Sequence, residues 1–169
     1  ITVNSLAPNA GIYASRDMAG DIRISNSGAS SLISGFEVGI LAEHYDRDNI
    51  AINNAGSIIG NTYEITGPDD IAYMGGGIVA RHNGTGVKSI SVTNSGTIKA
   101  GFGIDVGFDG CSADGDFAID IDSTGSILAN GGDGIYAFNN TGSIDILAND
   151  VTADDYDSVA IYAGNYSKD

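Results

Sequence analysis

The chain has 169 residues, and 22 acidic residues against 7 Lys plus Arg give it a formal net charge of −15. This charge disfavours a nucleic-acid backbone or an anionic membrane surface as a partner, and no apolar run approaches the ~20 residues of a transmembrane helix. Twenty-five glycines, two prolines and no tryptophan favour many short strands with tight turns over a helical bundle or a collagen.

Two short motifs alternate along the chain. The first, Gly-Ile-x-Ala, begins at residues 11–14, and the second, Ile-x-Ile-x-Asn-x-Gly, begins at residues 22–28. The first recurs, with small changes, at 39–42, 77–80, 103–106, 134–137 and 160–163, and the second at 50–56, 90–96 and, more loosely, 119–125. Such self-similarity is typical of an array whose repeats bury their apolar faces against one another.

Within each repeat the hydrophobic pattern has a period of two. Ile22 and Ile24 point one way and Arg23 and Ser25 the other, which predicts a strand with one buried face. The isoleucine of Gly-Ile-x-Ala belongs to a second strand. A short third strand is expected to begin at Ile58, Ile98 and Ile127.

These strands predict an all-β, single-domain parallel β-helix, or solenoid, spanning residues 1–169. It has about six coils, counting a partial one at residues 1–3, with three short strands per coil and no terminal caps. Successive Ile-x-Ile starts lie 28, 40, 29 and 25 residues apart. The longest interval predicts an inserted loop at about 61–70, and variable loops are expected at 43–49, 81–89 and 107–118.

Asparagine recurs at one corner of the predicted coil, at Asn26, Asn54 and Asn94. Stacked side-chain amides can hydrogen-bond to one another there, so we interpret these residues as structural. The glycines just after them are expected to supply a positive φ.

The run Val92-Thr-Asn-Ser-Gly-Thr-Ile98, followed by Gly103-Ile104 and echoed in the other coils, resembles the passenger region of bacterial autotransporters and the hemagglutinin-like surface adhesins. The resemblance covers nearly the whole chain and carries over no functional residue. It implies an extracellular or cell-surface β-helix of a Gram-negative bacterium, originally part of a longer passenger followed by an outer-membrane barrel.

The two histidines, His44 and His82, occupy the same repeat position in adjacent coils. Two imidazoles ~5 Å apart, with Glu43, Asp46 and Asp109 nearby, could hold a divalent metal. The alternative is an exposed polar ridge aligned by chance. The neighbouring acids are expected to favour the charged imidazole.

An acidic stretch supplies candidate cation ligands, with Asp120 predicted to stack outward on Asp145 of the next coil. Like charges at that spacing repel, and Ca²⁺ would relieve the repulsion through hard oxygen ligands. The alternative is a simply solvated acidic face. The candidate ligands are Asp109, Asp114, Asp116, Asp120 and Asp145.

The insertion is the best candidate for a protrusion that contacts a partner, and it carries Asp69 and Asp70. Paired carboxylates ahead of a β-helix strand are typical of polysaccharide hydrolases on this fold, and glycoside hydrolysis needs two carboxyl groups across a sugar site. No Gly-His-Gly or Arg-x-Lys companion follows. We therefore expect no enzyme, with glycan cleavage as the alternative.

Tyr13, Tyr136 and Tyr162 share one outward column in the Gly-Ile-x-Ala motif, interrupted by Leu41, Val79 and Asp105. This column predicts a partly apolar stripe that contacts a partner, or alternatively one that flanking loops shield.

These observations predict a non-catalytic adhesin-like or stalk segment of a secreted or surface protein. Its expected partners are a surface protein or glycan of a host or neighbouring cell, bound without nucleic acid and without insertion into a membrane. The alternative is a structural subunit that assembles end to end through open β-helix ends.

Overall fold

The computed structural model describes residues 10–60, 65–66, 72–73, 75–84, 88–108 and 117–165. They form a parallel β-solenoid of about five turns, which confirms the predicted fold class. The partial coil expected at residues 1–3 lies outside the described residues. Among the described segments no helix is long and apolar enough to span a membrane.

One sheet takes a single strand from every coil. The six strands, in order across it, are β1 (Ala10–Arg16), β4 (Val38–His44), β9 (Gly76–His82), β12 (Phe102–Phe108), β14 (Ile135–Asn139) and β16 (Ile161–Asn165). Each neighbouring pair is parallel and in register. We call it the Gly-Ile sheet, because it contains the Gly-Ile-x-Ala motif.

The other large sheet takes two strands, or one long strand, from each coil. Its members are β2 (Ile22–Asn26), β3 (Leu32–Ser34), β5 (Ile50–Asn54), β6 (Ser57–Ile59), β10 (Lys88–Asn94), β11 (Thr97–Ala100), β13 (Phe117–Ala129) and β15 (Gly142–Ala153). The predicted third strand corresponds to β3, β6 and β11. In two later coils it is joined to the strand before it, and the two form the single long strands β13 and β15.

The inserted segment contributes a small sheet of its own. Strands β7 (Ile65–Thr66) and β8 (Ala72–Tyr73) pair antiparallel, so the insertion reaches beyond the predicted end at residue 70.

The core consists of isoleucine columns that pass from coil to coil. Ile50 pairs in register with Ile22 on one side and Ile90 on the other, and Ile50 and Ile90 are fully buried. Burying one such side chain contributes about 1.5–3 kcal/mol. The solenoid is therefore stabilised mainly between successive coils, as the period-two pattern predicts.

Asparagines form a hydrogen-bonded ladder at one corner. Asn26 Nδ2 donates to Asn54 Oδ1 at 2.7 Å, and Asn54 Nδ2 donates to Asn94 Oδ1 at 2.8 Å. Asn94 Nδ2 donates to Ser123 Oγ at 3.1 Å, which extends the ladder by one coil. This arrangement confirms the structural role predicted for the three asparagines.

The glycines after this ladder do not have the positive φ that we predicted. Among the described glycines a positive φ occurs only at Gly20 and Gly142. Gly56 is required instead by close approach between turns, because a Cβ placed there would lie 2.7 Å from the carbonyl oxygen of Gly28. At Gly56 the stacked turns are too close to admit a side chain, whereas at Gly28 a Cβ would have no contact shorter than 3.4 Å.

Candidate functional site

His44 and His82 lie inside the solenoid, in one aromatic column. They are register partners with no exposed surface, and their rings stack with centroids 5.0 Å apart and planes inclined by 11°. Phe108 continues the column at 5.6 Å from His82 and packs against Phe117 at 4.3 Å.

Backbone groups occupy both ring nitrogens of each histidine. His82 Nε2 lies 2.8 Å from the carbonyl oxygen of Asp48, and Nδ1 accepts the Gly84 N–H at 3.1 Å. His44 makes an equivalent pair of backbone bonds, at 2.8 and 3.1 Å, one coil earlier. Because Nε2 donates while Nδ1 accepts, the arrangement suits the neutral imidazole.

The exposed polar ridge proposed for these histidines is therefore wrong. Strands β4 and β9 run two residues beyond the Gly-Ile-x-Ala motif, so the alternation that buries Ile40 and Ala42 also buries His44. No ring nitrogen has a free lone pair for a metal, and neither side chain is available to a partner. The sequence signal for this burial was the alternation of inward and outward residues, which continues past the motif to both histidines.

The charged imidazole expected from nearby acids is also contradicted for His82. Burial is the largest cause that lowers the pKa of His82, to about 4 from its usual 6.5, and the Lys88 charge lowers it further. The hydrogen bond to the Asp48 carbonyl opposes this shift but does not overcome it.

We expect this buried histidine to make the fold less stable in acid. Since its pKa is lower in the folded chain, the unfolded chain binds more protons below pH 6.5, and stability falls as the pH falls toward 4. The loss from His82 between pH 6.5 and 4.5 is expected to be about 2 kcal/mol. Urea denaturation at both pH values measures it.

A His82→Phe variant is the control, because Phe108 already occupies the same register position in the next coil. The carboxylates titrate in both proteins, so only the difference between the two pH dependences reports His82. An equal loss of stability in the wild type and the variant would contradict the assignment.

Lys88 is a buried cation that sequence reasoning placed in a variable loop. It is only 2% exposed, and its Nζ has no hydrogen-bond partner within the described part of the chain. Burial lowers its pKa, and the charges of Asp46 and Asp48 oppose the shift. Its position at the first residue of β10 explains the burial, because that strand begins earlier than its Ile-x-Ile motif.

The predicted acidic pair is aligned as expected. Asp120 and Asp145 are register partners on the outer face of the sheet, and both are exposed. No group of three or more His, Cys, Asp and Glu side chains that could hold a metal ion occurs among the residues described. Asp109, Asp114 and Asp116 lie outside those residues, so Ca²⁺ binding stays a prediction.

Asp69 and Asp70 also lie outside the described residues. The glycan-cleaving alternative depends on these two carboxylates and has no geometric support from the remaining chain.

The outward column of the Gly-Ile sheet has the predicted composition. Its members, in register from β1 to β16, are Tyr13, Leu41, Val79, Asp105, Tyr136 and Tyr162. At one end Tyr13 donates a hydrogen bond to Glu43 Oε2 at 2.9 Å. At the other end the rings of Tyr136 and Tyr162 stack 4.9 Å apart, with their planes inclined by 8°.

An open groove of about 390 Å³ lies beside Tyr136, at the end of the column where Tyr136 and Tyr162 stack. Its lining includes two aromatic residues, Phe102 and Tyr136, and four acidic ones, Asp105, Asp133, Asp155 and Asp157. Two loops form its rim, residues 130–134 before β14 and residues 154–160 before β16. We call this feature the Phe102 groove.

Fold and surface together define a parallel β-solenoid repeat protein. Comparisons with protein-family models, curated proteins and solved structures find no significant match.

Proposed function

We propose that this chain is a non-catalytic segment of a secreted or cell-surface β-solenoid protein, acting as an adhesin-like or stalk module. The observation that carries the proposal is one end of the outward column of the Gly-Ile sheet, where Tyr136 and Tyr162 stack beside the Phe102 groove. Aromatic side chains that are half buried on a rigid sheet are typical of surfaces that bind proteins or glycans.

The division of residues between core and surface supports this proposal. Isoleucine columns and the asparagine ladder fill the interior, and both histidines are bonded to the backbone there. A regular rod with its variable residues outside suits display and contact.

Binding of the purified protein to bacterial and epithelial cell surfaces tests the proposal. We expect saturable binding that falls about tenfold when both Tyr136 and Tyr162 are changed to Ser, since a few central aromatic residues carry most of the energy of an interface. Tyr13→Ser, at the far end of the same column, is the matched control and should bind like the wild type. Absence of binding, or equal loss in both variants, would refute the proposal.

Self-assembly is the second candidate, supported by the edges of the last coil. Within the described ranges β16 pairs only with β14, and β15 only with β13. Ile161 and Leu147, on these two strands, are 41% and 60% exposed. A strand edge with exposed apolar residues can pair with a further coil or with another chain.

Sedimentation and negative-stain microscopy distinguish the two candidates. Assembly predicts fibres that lengthen with concentration and that an Ile161→Lys variant abolishes. Monomers at every concentration would exclude assembly and leave the adhesin-like proposal intact.

A further inference from the structure

We propose that the Phe102 groove binds an arginine side chain from a basic segment of a partner protein. This inference rests on the proposed function, because it names the chemistry that the outward face of the Gly-Ile sheet recognises.

The walls of the groove suit a flat cation. Phe102 and Tyr136 are the aromatic residues of its lining, and the glycine pair Gly131 and Gly132 adds no side chain to it. A guanidinium group stacks on aromatic faces and is less strongly hydrated than the ammonium of lysine, so it loses less on entering such a groove.

The carboxylates at the rim are held in place by backbone bonds. Asp133 Oδ1 accepts the Val159 N–H at 2.7 Å, and Asp155 Oδ1 accepts the Tyr156 N–H at 2.7 Å. Each of these bonds uses one oxygen of its carboxylate. Carboxylates fixed in this way require little reorganisation when they pair with a guanidinium.

The chain already contains one pairing of an arginine with a carboxylate next to the groove. At one wall of the groove Asp105 accepts two bonds from the Arg81 guanidinium, one of them 2.7 Å long from Nη1 to Oδ1 and the other from Nη2 to Oδ2. Both partners are partly buried, with side chains 23% and 17% exposed. The outer face of this sheet therefore holds one guanidinium in a two-bond arrangement beside the proposed site.

Charge favours a cationic partner over a neutral or anionic one. Between Ala100 and Ser167 the sequence has twelve aspartates and no Lys, Arg or His. Arg81 is engaged by Asp105. Asp133, Asp155 and Asp157 add three further acidic residues to the lining of the groove. Such a concentration of one sign attracts basic segments and accelerates their association.

Fluorescence anisotropy with a labelled Gly-Arg-Gly-Arg-Gly peptide tests the inference on the whole chain. The matching peptide with citrulline in place of arginine keeps the shape and removes the charge. We expect the arginine peptide to bind, the citrulline peptide to bind at least about tenfold more weakly, and the binding to weaken as NaCl rises from 0.05 to 0.5 M.

Two double variants with the same change of charge separate the groove from the net charge. Asp155→Asn with Asp157→Asn should weaken arginine binding about tenfold, and asparagine at 155 can still accept the Tyr156 N–H. Asp120→Asn with Asp145→Asn, on the outer face of the other sheet, should change the affinity by less than about twofold.

Three results would overturn the inference: no binding of the arginine peptide, an equal loss in both double variants, or displacement of the peptide by neutral maltohexaose. The last would assign the groove to a glycan. Binding to cells that depends on Tyr136 and Tyr162 without binding of the peptide would refute this inference alone. Peptide binding without binding to cells would instead refute the proposed function.

Discussion

Replacing Gly77 with Ala is expected to destabilise the solenoid by about 3 kcal/mol, although the change adds only a methyl group. A Cβ on Gly77 would lie 2.6 Å from the carbonyl oxygen of Gly103 in the next coil, and closer still to Cγ2 of Ile98. The obstructing carbonyl belongs to the backbone, so one coil must move away from its neighbour. Urea denaturation of both proteins measures the difference.

The same close approach recurs in the neighbouring coils. A Cβ on Gly39 would meet the carbonyl oxygen of Gly77 at 2.7 Å, and one on Gly134 would meet that of Ala160 at 2.6 Å. The glycine of Gly-Ile-x-Ala therefore allows the coils to stack at their hydrogen-bonding distance. This steric requirement explains why the motif begins with glycine.

Gly28→Ala is the matched control for this prediction. A Cβ there would lie 3.4 Å from Cβ of Ser31, an ordinary contact, and its φ is not positive. Its effect is expected to stay within about 0.5 kcal/mol, because alanine also reduces the freedom of the unfolded chain. Equal stability of the two variants would show that the coils do not stack as closely as described.

Asn54→Ala is expected to cost about 3 kcal/mol, because it removes the central member of the ladder. Asn54 accepts a bond from Asn26 and donates one to Asn94, and its amide also donates to the carbonyl of Gly56 at 3.1 Å. The side chain is only 2% exposed. Its removal leaves buried amide groups on both neighbouring coils without partners, at about 1–3 kcal/mol for each unsatisfied group.

The adjacent Asn53 provides the control, since it lies on the same strand and faces solvent. Asn53→Ala should change the free energy of unfolding by less than about 0.5 kcal/mol. Hydrogen exchange adds a local readout, because the loss in Asn54→Ala should be greatest in β2, β5 and β10. Uniform exchange in the two variants would argue against a ladder that couples these coils.

Much of the fold could be predicted because one physical pattern repeats. The repeat spacing predicts that equivalent isoleucines occupy the same position in successive coils. The structure places Ile22, Ile50 and Ile90 in one column. The register of His44 on His82 was likewise predicted, since it depends only on counting from the same motif.

The inward direction of the two histidine side chains was harder to predict from the sequence. The residues after the motif vary from coil to coil, which is typical of loops, yet β4 and β9 continue through His44 and His82. The burial of His82 depends on backbone partners at Asp48 and Gly84, which no local pattern specifies. The varied residues at this register position are buried, as His44, His82 and Phe108 show.

The Phe102 groove was also beyond sequence reasoning, although Tyr136 had been predicted to face outward. The groove forms where two loops from successive coils turn over the edge of the Gly-Ile sheet, and Asp133 meets Val159 only after that folding. Loop paths of this kind depend on tertiary contacts, whereas the strands depend on periodicity.

Disulfide trapping tests the register of the coils most directly. Ala51 and Ser91 are 40 residues apart in sequence and are register partners on neighbouring coils, whereas Arg23 lies one coil further from Ser91. Cys111, the single cysteine of the sequence, is first changed to Ser, and cysteines at 51 and 91 should then join on mild oxidation. Cysteines at 23 and 91, about 10 Å apart, should stay reduced. A reduced 51–91 pair, or equally ready closure of 23–91, would contradict the stacked solenoid.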